Sequence, residues 1–303
     1  MIMSEGGVFS ANPSLMLSTI YVLSENGGEL SEDVKSNIIK SAPEIKKVSK
    51  SIIRNELEKI IMSSNADIGI KFLFECGILK HIMPQLDMCF YEPQRNKYHI
   101  YNVGEHIAKA VANSAKIVPV RWAALFHDIG KPLCSSVDSN GMIHFYGHHT
   151  ESVRIANDIC HKLSFDPQLM REILILVEYH DVHFEQSEKG VKRALSRLGE
   201  QNFTRLLYLQ EADAKAKNIK CYEEKKLTLQ KLHEIRSHVI STGEPYRYSD
   251  MAIGKRDLIK MKYKAERQMR DVMRILFEEI IDNPSLNNRD YLLKRAKALK
   301  NKR

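Results

Sequence analysis

His127 and Asp128 stand side by side at the end of an apolar run, "RWAALFHDIGKP" (residues 121–132). Burying such a pair without partners is costly, so the position calls for a ligand or for further polar side chains. Neutral imidazoles and carboxylates that converge on one point hold divalent metals. The chain supplies more of both: His106 in "YNVGEHIAKA", His148 and His149 in "FYGHHTES", His180 and Asp181 ending "REILILVEYHD", and Asp213 in "LQEADAKAKN". One helix face cannot surround an ion, so the set has to come from several elements. Adjacent residues on a helix diverge by about 100°, so an ion held between that helix end and its neighbours can meet both His127 and Asp128. His81, His161, His233 and His238 fall outside this order and read as ordinary core or surface histidines.

A divalent ion at such a cluster lowers the pKa of bound water and screens phosphoryl oxygens, and two adjacent ions can hold both attacking and leaving oxygens. A histidine-rich set with carboxylates suits Mn, Ni, Co or Fe as well as Mg, with one or two ions at the site.

The elements that must position these residues are helical. Apolar residues recur at helix spacing, predicting helices over 12–24, 31–40, 48–63, 66–79, 102–115 and 119–130. The same spacing continues over 149–163, 167–180, 188–197, 201–217, 222–241, 255–263 and 265–282, and a last helix starts near 287. In the 48–63 segment, Ile52, Ile53, Leu57, Ile60 and Ile61 are expected on one face. Gly130-Lys131-Pro132 closes the helix that carries His127, since Gly and Pro end helices. Residues 135–149 read as a loop with a turn at Ser139-Asn140-Gly141, and "MIHFY" is the one short strand-like stretch. The fold class is therefore all-α, with no internal repeat.

Composition narrows the function classes. The five cysteines (Cys76, Cys89, Cys134, Cys160, Cys221) are scattered, with no Cys-x-x-Cys pair, so neither a disulfide framework nor a zinc ribbon is indicated. No apolar stretch approaches a membrane span, and "MIMSEGGVFS" is not a signal peptide. Reduced thiols in a cytoplasm are the simplest expectation. The net charge of +8 favours anionic partners such as nucleotides or RNA. Much of the excess lies in "KRAKALKNKR", which reads first as a solvated helix end.

"FHDIGKP", with the ordered His and Asp residues around it, resembles the signature of the HD-domain metal-dependent phosphohydrolases. That resemblance implies that His106, His127, Asp128 and Asp213 ligate one metal. His148 and His180 would complete a second site or bind phosphate, and Lys131 would sit near the phosphate. Asp128 and Lys131 would be the catalytic pair. His99, two helical turns before His106, His149, and Arg193 in "VKRALSRLG" are further candidates for contact with substrate. Relatives usually carry Glu where His149 stands.

A wider resemblance runs from about residue 12 to 297, to the C-terminal part of bacterial CCA-adding tRNA nucleotidyltransferases that carry an HD domain. It rests on "VSKSIIRNELEKII", "FECGILKHIMPQL", "YHIYNVGEHI", "AALFHDIGKP", "HFYGHHTESVRIA", "RLGEQNFTRLLYLQEADAKAKN", "DMAIGKRDLIKM" and "DNPSLNNRDYLL". The nucleotidyltransferase head does not appear in the sequence, and the neck departs from the family. Three arginine positions of its first motif are Leu15, Ser18 and Tyr21, and that of the next is Ile52. In the tail the family's glycines after "DLI" are replaced by "KMKYKAERQMRDVM", where Lys262, Lys264, Arg267 and Arg270 leave a basic stretch.

These resemblances imply an HD domain at 96–220, embedded between a helical neck and body region (1–95) and a helical body and tail region (221–303). The expected activity is phosphodiesterase or nucleotidase action on 2′,3′-cyclic or 2′-phosphorylated nucleotides or RNA ends, by a stand-alone enzyme without CCA addition. The alternative is a tRNA- or RNA-binding accessory protein with a vestigial metal site. A nucleotide or RNA-end phosphate is the expected partner, tRNA a further one, and a membrane is not.

Overall fold

Helix spacing in the sequence becomes seventeen α-helices in the computed structural model, which describes residues 7–94 and 101–301. A two-stranded antiparallel hairpin, Ser135–Val137 with Ile143–Phe145, is the one sheet among the described residues. Asp138 closes it by accepting the backbone N–H groups of Asn140 and Met142 at 2.8 and 3.0 Å. No helix among the described residues is long and apolar enough to cross a membrane.

The chain divides into two compact units. The first comprises residues 1–182 and 205–227, the second residues 183–204 and 228–303.

In the first unit, Val103–Asn113 packs between Ala66–Glu75 and Val118–Phe126, and Val118–Phe126 packs in turn on Pro167–Tyr179. His148–Lys162 lies against Pro167–Tyr179. Helix Val118–Phe126 is buried on every side, with Trp122 and Phe126 inaccessible to solvent; an all-round apolar helix must sit at the centre. Its Trp122 Nε1 donates to Glu58 at 3.0 Å, which satisfies the indole N–H.

Local signals fix where the site-bearing helices begin. Asn102 and Glu105 form a reciprocal capping box that starts Val103–Asn113 and puts His106 in its first turn. Asp166 caps Pro167–Tyr179, with Pro167 at the first helical position. Gly147, at φ +76°, turns the chain out of the hairpin into His148–Lys162.

Ile53, Leu57, Ile60 and Ile61 are buried as the 48–63 pattern predicts, but Ile52 is exposed. Ile52 and Ile53 point about 100° apart, and only one of them can join the buried stripe. Ser18 donates to Glu56 Oε2 at 3.1 Å.

In the second unit, Glu266–Asp282 supplies the main apolar stripe: Met269, Val272, Leu276, Phe277 and Ile280 are buried together with Leu258, Tyr263 and Leu292. Tyr263 Oη donates to the Ala296 carbonyl at 2.6 Å, which ties the C-terminal helix Arg289–Asn301 to this core.

Candidate metal centre

Five elements of the first unit bring His106, His127, Asp128, His148, His180 and Asp213 to one place. His127 and His180 occupy equivalent positions, at the C-caps of Val118–Phe126 and Pro167–Tyr179. The last carbonyls of a helix lack intrahelical donors. Each of these histidines fills that need in its own helix: His127 Nδ1 donates to Ala124 O at 2.8 Å, and His180 Nδ1 to Val177 O at 2.7 Å. His106 Nδ1 bonds the Ala216 carbonyl just beyond helix Glu200–Lys215, at 3.3 Å. His148 Nδ1 bonds Phe145 O on the hairpin, at 2.9 Å. A carbonyl can only accept, so each Nδ1 carries a proton, and in the neutral ring each Nε2 presents its lone pair inward. That is the tautomer a metal-ligating histidine needs.

The inward-facing atoms form two groups that share Asp128. In the first, His106 Nε2 lies 3.3 Å from His127 Nε2, 3.3 Å from Asp128 Oδ2 and 3.0 Å from Asp213 Oδ1. In the second, His148 Nε2 lies 3.3 Å from His180 Nε2 and 3.3 Å from Asp128 Oδ1. Imidazole lone pairs facing one another and carboxylate oxygens at this range repel unless a cation stands among them. Nitrogen and oxygen donors in this mixture fit a divalent first-row ion or Mg.

The electrostatics of the metal-free chain agree. Burial pushes the His127 imidazole down, but the Asp128 and Asp213 carboxylates beside it raise its pKa to about 10. Burial would raise the Asp128 carboxyl, yet the charges of His127 and Lys131 and hydrogen bonds from His106 and His127 hold it well below the carboxylate range. Asp213 is held low against burial in the same way, by Lys217 first and then by the two histidines. Protons thus stand where a cation would.

The path of the chain at Gly130 sets the spacing between the two groups. A Cβ there would lie 2.6 Å from Ser152 N and 2.7 Å from His148 O, both backbone atoms. Gly130 N also donates to the buried Ser152 Oγ at 2.9 Å. The turn after Asp128 therefore lies directly on the first turns of the His148 helix. Gly130 is not a left-handed cap: its φ is −82°, and close approach is what requires glycine there.

Lys131 is buried, with Nζ 2.6 Å from Asp128 Oδ2, 2.9 Å from Gln94 Oε1 and 5.3 Å from the centre of the Phe145 ring. His149 is exposed, its ring edge-on to that of His148 with centroids 6.0 Å apart. Arg193 is not gathered with these residues. It belongs to the second unit, where its guanidinium pairs with Glu278 at 2.8 Å. His99 lies outside the described residues.

Three contributors escape the sequence reading. Gln94 anchors Lys131 and has no spacing signal. Lys217 pairs with Asp213 Oδ2 at 2.7 Å, one helical turn on; its i+4 position was the available signal. Burial works against the Lys217 charge, but Asp213 raises its pKa above the ordinary lysine value. Gln210, one turn before Asp213, donates to the backbone carbonyls of His180 at 3.0 Å and Val182 at 2.8 Å, and so holds the Asp213 helix against the end of the His180 helix.

Comparison with known proteins accords with this geometry. Residues 97–218 match the HD domain family, and residues 29–90 match the family described as "Probable RNA and SrmB- binding site of polymerase A". Curated relatives include the multifunctional CCA proteins of Cupriavidus metallidurans and Burkholderia mallei. They are 29% and 30% identical over 174 residues, which is 54% of this chain and 41% of each relative. The multifunctional CCA protein of an Azoarcus species is 32% identical over 126 residues, 40% of this chain and 30% of the relative. The chain thus matches less than half the length of these relatives. It is similar to the HD domain over residues 97–218 and to the polymerase A segment over residues 29–90, and it is homologous to the multifunctional CCA proteins across its neck and HD region.

Proposed function

We propose that the protein is a metal-dependent phosphohydrolase, a phosphodiesterase or nucleotidase for 2′,3′-cyclic or 2′-phosphorylated nucleotides or RNA ends. The observation that carries this reading is Asp128, whose two oxygens face two separate histidine pairs. His106, His127, Asp128 and Asp213 would hold one divalent ion, and Asp128, His148 and His180 a second. Such an ion, when bound, supplies Lewis-acid activation of phosphoryl oxygens and of water.

The remaining work falls to the chain. The Nδ1–carbonyl bonds keep four Nε2 lone pairs aimed inward. Lys217 holds the Asp213 carboxylate. Lys131 places a positive charge at the edge of the cluster, where it meets negative charge developing on the phosphoryl group. His149, exposed beside His148, meets the outer phosphate oxygens.

The test is a hydrolysis screen on purified protein with Mn, Ni, Co, Fe, Mg or no metal. It covers 2′,3′-cyclic nucleotides, 2′- and 3′-mononucleotides and a simple phosphate ester. Metal-dependent turnover that Asp128→Ala abolishes in a folded protein is the expected result; turnover unchanged in that variant overturns the reading.

The match at residues 29–90 favours a second reading, an RNA- or tRNA-binding accessory protein. It predicts strongly salt-dependent RNA binding that ignores substitution of the metal-facing residues, and no turnover in the screen.

A further inference from the structure

The second unit contains a cavity of ≈ 410 Å³ along one side of the Glu266–Asp282 helix. This lies within the range of small-ligand pockets. Its residues follow helix spacing: Met269 and Met273 form an apolar wall, with Arg270 and Arg274 next to them on the same face. Tyr248 also lines the cavity. Its ring is stacked on the buried Phe277, with centroids 4.2 Å apart and an interplanar angle of 21°. Tyr248 itself remains 45% exposed, so an aromatic surface backed by a second ring is open to a ligand.

The charge of the pocket is one-sided. Lys255 and Glu266 on its rim neutralise each other, with Nζ 3.0 Å from Oε1. Arg270 and Arg274 are exposed and make no salt bridge among the described residues, so they leave two guanidinium groups beside the apolar wall. Methionine walls adapt to flat ligands, tyrosine faces stack on bases, and guanidinium groups bind phosphate in a planar fork. The basic stretch after "DLI" is thereby resolved into distinct parts. Lys262 lies in a turn, whereas Arg270 joins Arg274 at the cavity.

We infer that this cavity is a nucleotide site, separate from the His/Asp cluster, that takes one nucleobase against Tyr248, Met269 and Met273 with its phosphate on Arg270 and Arg274. A simple apolar ligand leaves the two arginines unused, and inorganic phosphate leaves the apolar wall unused. A nucleotide uses both. The inference does not depend on hydrolysis at the metal centre.

The experiment is a calorimetric and NMR titration of the full chain, without metal, with adenosine monophosphate, adenosine, inorganic phosphate and a short single-stranded oligoadenylate. Adenosine monophosphate is expected to bind more tightly than adenosine or phosphate. Tyr248→Leu and the Arg270→Gln/Arg274→Gln pair are each expected to weaken it by about tenfold, as loss of one stacked base or its phosphate contacts implies. Tyr248→Phe and Asp128→Ala should bind as the parent does. The substitutions at Tyr248, Arg270 and Arg274 lie on exposed side chains, whereas Asp128 is buried, and circular dichroism checks that each variant keeps the fold. An oligoadenylate that binds more tightly, with a steep salt dependence, identifies the natural occupant as one unpaired residue of an RNA; equal binding identifies a free nucleotide. Binding abolished by Asp128→Ala, binding indifferent to Tyr248→Leu and the arginine pair, or no binding by the parent protein overturns the inference.

Discussion

Lys131 Nζ lies 2.6 Å from Asp128 Oδ2, the same oxygen that faces His106 Nε2 and His127 Nε2 at 3.3 Å each. One carboxylate oxygen thus stands between the Lys131 side chain and two imidazoles able to hold an exchangeable cation. Lys131 cannot swing away freely, because Gln94 Oε1 and the Phe145 ring hold it from other sides.

Replacing that lysine separates charge stabilisation from metal retention. Lys131→Met keeps the length of the side chain and removes its charge. Loss of one preorganised charged group costs roughly 10²–10³ in kcat, so hydrolysis should fall by that order while bound metal per chain is unchanged. Metal content measured alongside kcat/KM decides the matter. A variant that loses its metal makes Lys131 a support for Asp128 rather than a partner of substrate.

The cluster should also make metal affinity pH-dependent. In the metal-free protein the folded-state pKa of His127 is raised from 6.5 to about 10. Its contribution to stability is therefore complete below pH 6.5 and is lost as pH rises toward 10. Asp128 and Asp213 are depressed below 3.8, so their contribution is present above pH 3.8 and is lost as pH falls. For these groups, the metal-free protein is most stable between those limits. A metal needs the neutral imidazole and displaces the proton. The rise in Tm caused by Mn should grow with pH across the interval from 6.5 to about 10; a rise that shrinks there contradicts the assignment of His127 as a ligand.

Thiol accessibility provides a check that is independent of the metal. Cys76, Cys89 and Cys160 are buried, while Cys134 and Cys221 are partly accessible. Burial pushes the Cys76 thiol up to about 11 and Cys160 to about 12, and Cys89 higher still. Only thiolates react readily. A colorimetric disulfide reagent should therefore titrate Cys134 and Cys221 quickly in the native protein, and all five cysteines after unfolding. Fast reaction of a third thiol without denaturant would show that one of the buried cysteines opens.

Lys262 offers a stability test. It follows helix Lys255–Lys260 and adopts φ +61°, the left-handed conformation that glycine favours. The turn there is one that suits a glycine. A non-glycine residue in this region costs about 1–2 kcal/mol, and glycine gives back part of that through the greater freedom of the unfolded chain. Lys262→Gly should stabilise the protein by roughly 0.5–1 kcal/mol, read from denaturant midpoints. Lys300, which donates to the backbone carbonyls of Met261 and Lys262 at 2.8 and 3.1 Å, would keep both acceptors.

The residues that declare themselves in the sequence are those whose role is local. Val103–Asn113 announces its start through Asn102 and Glu105, and Val118–Phe126 its burial through an apolar run interrupted only by Arg121. His127 and Asp128 are conspicuous because a polar pair ends that run. What escaped depends on contacts distant in sequence. Gln94 meets Lys131 only after folding, and Gln210 reaches carbonyls some thirty residues earlier in the chain. Gly130 reads as a helix terminator, but its requirement comes from the backbone of another helix. Ile52 looks like a core residue until the direction of the stripe is known.

The contact of Gly130 with Ser152 and His148 divides the labour of this region in a way that bears on redesign. Because backbone touches backbone there, the separation of the two histidine pairs is held by the shortest link available. Most of the intervening hairpin is relieved of that duty. The Asp138–Gly141 turn, exposed except at Asp138, can be lengthened, shortened or rewritten while the two histidine pairs stay in register. Phe145, for both its carbonyl and its ring, and Gly147 must be kept. The hairpin tip is thus a replaceable cassette beside a fixed cluster of imidazoles and carboxylates, open to redesign without disturbing their geometry.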